Sequence, residues 1–225
     1  MAVILKKEVK KMNKIISLIY KTIFITISGI GIYNMLFNIN FDTLAYFTNL
    51  SNIIVFIFFI IIWYKTLKDV LKKNYYGKNT HLVKYKGIAT LCITVTGLVY
   101  MILLADYSSK SNYTFQNLTV HYIIPIMTIV DYFLFDEKGL LKWYHPLIWV
   151  VVSVSYLPYI FIRAIILGSN STHLKYPYFF LNIDKIGVQS VILWCVGLII
   201  FFVLLSYLLF LFDQKNKIFT KKNPQ

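Results

Sequence analysis

The 225-residue chain is 58% hydrophobic and 18% aromatic, with only 14% charged residues. That composition excludes a soluble globular domain, which could not hide so much apolar surface. Its formal charge of +14 would suit nucleic acid, but the basic residues lie in short loops and tails between apolar runs, where they report membrane topology instead, so no nucleic acid partner is expected.

Six apolar runs are long enough for the roughly 20 residues that cross a bilayer. The opening MAVILKKEVKKMNK has the basic flavour of a signal peptide, yet the apolar run after it is too long and lacks a small-residue cleavage site, so it reads as the first span, 15–37. The second, 44–64, is LAYFTNLSNIIVFIFFIIIWY. Its Thr48, Ser51 and Asn52 stand at i, i+3 and i+4, with Asn49 beside Thr48, and such a polar face must turn toward protein. The third span is 87–105. In the fourth, 117–135, Asn117, His121, Pro125, Thr128 and Asp131 form a helical stripe that should line the bundle interior. Pro125 cannot donate to the carbonyl of His121, which allows a bend and a small cavity there. The fifth span, 143–167, places Tyr156, Tyr159 and Arg163 on one face, and the sixth is 187–212. The expectation is an all-α integral membrane protein of six transmembrane helices, a single polytopic domain over 1–225 with no linker or internal repeat.

Eighteen Lys residues flank the spans on one side against three on the other, which predicts cytoplasmic N- and C-termini in the cell membrane. The basic segment 65–86 then meets anionic lipid headgroups. In this orientation Thr48 and His121 each lie four residues below the outer start of their span, about 6 Å deep at 1.5 Å per residue. Arg163 and Asn34 sit near the same level.

Each polar group has two readings. Thr48, Ser51 and Asn52 serve as interhelical glue or as part of a site. His121 is a buried imidazole with or without chemistry. Arg163 snorkels to the outer interface, or points into the bundle near His121 to hold a carboxylate. Lys21 snorkels inward or pairs with Asp131. The aromatic loop 173–187 is an interfacial belt, or a lid from which Asp184 or Asn182 reaches Arg163. Cys92 and Cys195 differ in depth, so a disulfide is not expected. Walker A, H-E-x-x-H, C-x-x-C and G-x-S-x-G motifs are missing, and no cofactor or metal is expected.

The pairing of YFTNLSN, Tyr46 to Asn52, with HYIIPIMTIVDYFLF, His121 to Phe135, followed by IRAIILG and YPYFFLNIDKIG, resembles the bacterial six-span Pr6Pr-type membrane proteins. More remotely it is similar to the androgen-induced and androgen-dependent TFPI-regulating proteins, six-span hydrolases of fatty acid esters of hydroxy fatty acids. The resemblance implies Thr48 as nucleophile and His121 as its base, at Tyr46-Phe47-Thr48 and at the His preceding Pro125. A Thr hydroxyl needs such a base, and Asn49, Ser51 and Asn52 would supply oxyanion donors or polar support. Arg163 would take a substrate carboxylate. The expected function is thus an intramembrane threonine hydrolase of lipid esters. The alternatives are a non-enzymatic binder or transporter of a small amphipathic solute, and a structural subunit whose polar face meets another chain. The expected partners are membrane lipids and a lipid-ester or amphipathic ligand.

Overall fold

The structure is a computed structural model that describes residues 13–105, 114–168, 171 and 173–222. It contains six helices long and apolar enough to cross a membrane, Lys14–Phe37, Phe47–Leu71, Val83–Leu104, Phe115–Phe135, His145–Leu167 and Ile183–Lys215. Each overlaps one expected span. Among the described residues there is no strand, only isolated bridges between Asn13 and Tyr76 and between Asn79 and Asp136.

Local chemistry sets the helix ends and breaks. Helix α1, Lys14–Phe37, is capped by the Asn13 side chain, which accepts from the Ile15 N–H. Helix α2, Phe47–Leu71, starts three residues later than the sequence suggests. Asn40 Oδ1 accepts from the Thr43 N–H and Thr43 Oγ1 from the Asn40 N–H, and these bonds hold Thr43–Ala45 in a separate 3-10 turn. Helix α3, Val83–Val99, starts four residues earlier than expected and ends in a π turn, Tyr100–Leu104. The fourth span is a short α4, Phe115–Leu118, a π turn over Thr119–Ile123, and α5, Ile124–Phe135. The π turn stands just before Pro125, at the predicted weak point. The fifth divides at Ser155 into α6, His145–Val154, and α7, Tyr156–Leu167. Pro158 explains that break, because it has no N–H for the carbonyl of Val154. Helix α8, Ile183–Lys222, carries a kink at Gly187, whose φ of 77° is open to a residue without Cβ.

Helix α3 is the centre of the bundle. On one side its Ile93 packs with Phe24, Phe59 and Ile124, where the Phe24 and Phe59 rings stack at 3.6 Å. On the other side Leu91 and Val95 pack with Trp149, Phe202 and Leu209. The outward faces of the helices remain apolar, for example Ile30, Ile165 and Leu193.

Between helices that are apolar on outward and inward faces alike, hydrophobic burial gives little orientation, so polar contacts decide which faces meet. The strongest set is at the end of the bundle that holds the basic loops, called here the basic end. Asp131 on α5 accepts from Lys21 Nζ of α1 at 2.8 Å and from Lys86 Nζ of α3. Lys86 also donates to Asp136 at 2.5 Å. All four side chains are buried. Ser17 Oγ accepts from Lys21 Nζ at 2.7 Å and from Asn79 Nδ2 at 3.0 Å, which ties in the loop before α3. Of the two readings of Lys21, the structure selects the pair with Asp131. Lys86 differs from its expected place in an exposed basic loop, because the early start of α3 draws it inside. Nearby, burial lowers the Lys138 ammonium to about 8.

Removing one partner of this cluster leaves buried charge uncompensated. Asp131→Asn should lower stability by about 3–5 kcal/mol, the usual cost of breaking a buried ion pair. Ile165→Ala, on an outward face, should change it by about 0.5 kcal/mol or less. Detergent-titrated unfolding in mixed micelles measures both, and an Asp131→Asn midpoint equal to that of the wild type would refute the role given to the cluster.

Candidate functional site

The opposite end of the bundle is built around the turn that enters α2. Helix α7 holds this turn with the face the sequence singles out. Tyr156 Oη donates to the Ala45 carbonyl at 2.7 Å and Tyr159 Oη to the Leu44 carbonyl at 3.2 Å. Arg163 donates to Asp42 Oδ1 at 2.8 Å, to the Phe41 carbonyl at 3.2 Å and to the Leu174 carbonyl. Arg163 is buried, as expected of a group that points into the bundle. Its carboxylate partner, however, is Asp42 of the chain itself, and it does not contact His121. The terminal nitrogens of Arg163 are thus engaged by the entry turn and Leu174, while its Nε is buried without a hydrogen-bond partner.

Asp42 joins three segments. Oδ1 also accepts from the Leu174 N–H at 3.0 Å, and Oδ2 lies 3.0 Å from His173 Nδ1. The hydrogen bond from His173, with the Leu174 N–H and Arg163 adding to it, holds the Asp42 carboxyl below the usual carboxylate range. Asp184 pairs with Lys175 at 2.7 Å, and Asn182 caps the Lys185 N–H. Neither reaches Arg163, so the lid contact expected of them is supplied by Leu174 instead.

With the entry turn fixed, Thr48 falls in the first turn of α2, where the Asn49 and Leu50 N–H groups bond to the Tyr46 carbonyl. The Thr48 N–H donates to Tyr178 Oη at 3.4 Å. Burial raises the pKa of the Tyr178 phenol. The neighbouring polar groups are glue in their visible bonds. Asn49 Nδ2 donates to the Thr43 carbonyl at 2.8 Å. Ser51 Oγ bonds to Thr96 Oγ1 of α3 at 2.7 Å. Asn52 Nδ2 donates to the carbonyls of Thr48 at 2.8 Å and Val120 at 3.3 Å, linking α2 to the π turn of the fourth span. Both amide hydrogens of Asn52 are therefore engaged by backbone carbonyls, and one of the two of Asn49.

His121 occupies that π turn. Its ring stacks on Tyr100, with centroids 3.6 Å apart, and Tyr100 belongs to the π turn of the neighbouring span. Tyr100 Oη donates to Asn117 Oδ1 at 3.0 Å. Gly97 allows this closeness: a Cβ there would stand 3.1 Å from the His121 carbonyl, the group that Pro125 leaves without its helical donor. His121 Nδ1 is buried without a hydrogen-bond partner.

Thr48, Asn49 and His121 line one open cleft of about 710 Å³, walled also by Tyr100, Asn117 and Tyr178. The shared depth expected of Thr48 and His121 is thus a shared cavity, although among the described residues no hydrogen bond joins them. Beside it is an apolar cavity of about 50 Å³, lined by Val95, Val99, Leu157, Leu198 and Phe202 among others. Thr48, Leu104 and Tyr178 line both spaces. Tyr100 and Tyr178 escape the sequence reading because a Tyr near the end of an apolar run is ordinarily an interfacial anchor. Both cysteines are free. Among the described residues no group of His, Cys, Asp and Glu could hold a metal ion. Comparison with family models, curated proteins and solved structures gives no match to the chain.

The Asp42 junction has a pH signature. A carboxyl whose folded pKa lies below its unfolded value contributes fully above about pH 4 and loses that contribution as pH falls through the folded pKa. The protection factor of the Leu174 amide, bonded to Asp42, relative to its intrinsic exchange rate at each pH, should fall only under such acid conditions. Asp42→Asn should lower it at least tenfold at neutral pH. Unchanged protection in Asp42→Asn would contradict the junction.

Proposed function

We propose that the chain is a multi-pass protein of the cell membrane, with both termini cytoplasmic, that acts on lipid esters bound between the cleft and the apolar cavity. The orientation rests on the eighteen-to-three division of Lys residues. The observation that carries the function is that Thr48 stands where a polar cleft meets an apolar cavity, with His121 in the same cleft. An ester lipid has this division of polarity, its carbonyl lying between an apolar chain and a polar head. The likeness to the six-span ester hydrolases supports the same two residues.

In this reading the Thr48 hydroxyl attacks the ester carbonyl carbon and His121 takes its proton. The carbonyl oxygen becomes an oxyanion. The Tyr178 hydroxyl, which lies against the Thr48 N–H, and the second amide hydrogen of Asn49 are the donors assigned to it. The C–O bond to the alcohol then breaks, and the imidazolium returns the proton to the leaving alcohol. Water, deprotonated by His121, attacks the acyl-threonine, and its proton passes to Thr48 as the fatty acid leaves.

A second reading, a binder of amphipathic molecules without chemistry, is favoured by one observation. Among the described residues Thr48 is bonded to Tyr178, through its N–H, and has no hydrogen bond to His121. A fluorophosphonate probe on the purified protein separates the two. Covalent labelling should be lost in Thr48→Ala and in His121→Ala, kept in Thr43→Ala, and slowed about a hundredfold in Tyr178→Phe, as for loss of an oxyanion donor. Wild-type protein that neither labels nor cleaves ester lipids would leave the binder.

A further inference from the structure

Of the remaining polar features, the buried Lys21–Asp131–Lys86–Asp136 cluster balances its own charges, and Arg163 of the Asp42 junction is paired within the chain. The cleft at Thr48 is different because its lining has room and polarity without fixed charge. Among the described residues that line it are Thr48, Asn49, Gln116, Asn117, His121 and Tyr178, together with apolar and aromatic side chains, and no Asp, Glu, Lys or Arg. The guanidinium that could have neutralised an anionic ligand is bound to Asp42 and does not reach the cleft.

We propose that the cleft selects an uncharged, hydroxyl-bearing headgroup, so that its ligand is a neutral lipid of the monoacylglycerol class and not a lipid carrying a carboxylate or phosphate. The proposal rests on the lipid-ester reading of the site. A carboxylate or phosphate brought into this cleft would give up hydration with no counter-ion among its described lining residues to replace it. A glycerol head is different. Its hydroxyls both donate and accept, matching amide and hydroxyl groups that do the same. Its ester would stand beside Thr48, with the first methylenes of the apolar chain directed toward Val99, Leu157 and Leu198 in the small adjoining cavity. The same argument disfavours an ester of a hydroxy fatty acid with a free carboxyl group.

The test is photocrosslinking of full-length protein in neutral detergent by 1-oleoylglycerol carrying a diazirine in its chain. The competitors are unlabelled 1-oleoylglycerol, oleoyl lysophosphatidic acid and the oleoyl ester of 12-hydroxystearic acid. The expected result is saturable crosslinking that 1-oleoylglycerol displaces at least tenfold more effectively than either anionic lipid. Gln116→Lys, which places a cation in the cleft, should shift that ratio at least tenfold toward the anionic lipids. An anionic lipid that competes as well as the glyceride, or a failure to crosslink saturably, would overturn the proposal. Equal competition with Thr48-dependent fluorophosphonate labelling intact would defeat the headgroup assignment alone. Selective crosslinking of a protein that never labels would defeat the hydrolase reading alone.

Discussion

Asp131 accepts from two lysines at once, and the arrangement of the bundle follows from that. Three helices that are apolar on their outward faces have many ways to pack, whereas Lys21, Asp131 and Lys86 can meet in few. Their contact fixes α1, α3 and α5 at the basic end, and Asp136 and Ser17 satisfy the further bonding of Lys86 and Lys21. A buried ion cluster of this kind is weak evidence for added stability over an apolar alternative. Its value here is orientation, since it fixes which faces of the three helices meet.

At the other end, orientation is imposed on a loop. The segment 41–45 receives three donors from one face of α7, and this decides where α2 starts. Because α2 starts at Phe47, Thr48 lies in its first turn, with its N–H bonded to Tyr178 of the loop that Asp42 also anchors through Leu174. On the facing side, two π turns bring Tyr100 and His121 into stacking contact. Such turns widen a helix by one residue and are frequent at functional sites. The cleft is therefore a product of irregular backbone at the ends of helices whose regular parts are held elsewhere.

This division explains what could be read from sequence. Six apolar runs and the stripe from Asn117 to Asp131 follow from periodicity alone, and the pairing of Lys21 with Asp131 was one of two options open to a lysine at that depth. The common face of Tyr156, Tyr159 and Arg163 was legible too, but its target was not, because spacing along α7 carries no information on the loop it meets. Lys86 was misplaced for a similar reason: hydropathy ended the third span at the first charge, whereas a buried acid allowed the helix to continue. Tyr178 and Tyr100 look like interfacial anchors until their neighbours are known.

The central claim is that Thr48 and His121 face one cleft, open on the side opposite the basic loops, while Ser51 is turned into the bundle against Thr96. Single-cysteine variants of the chain lacking Cys92 and Cys195 test this in intact cells with a membrane-impermeant maleimide. Thr48→Cys and His121→Cys should both be labelled from outside, and Ser51→Cys should stay unlabelled. Labelling of Ser51→Cys with Thr48→Cys protected, or labelling of Thr48→Cys and His121→Cys from opposite sides of the membrane, would contradict the account.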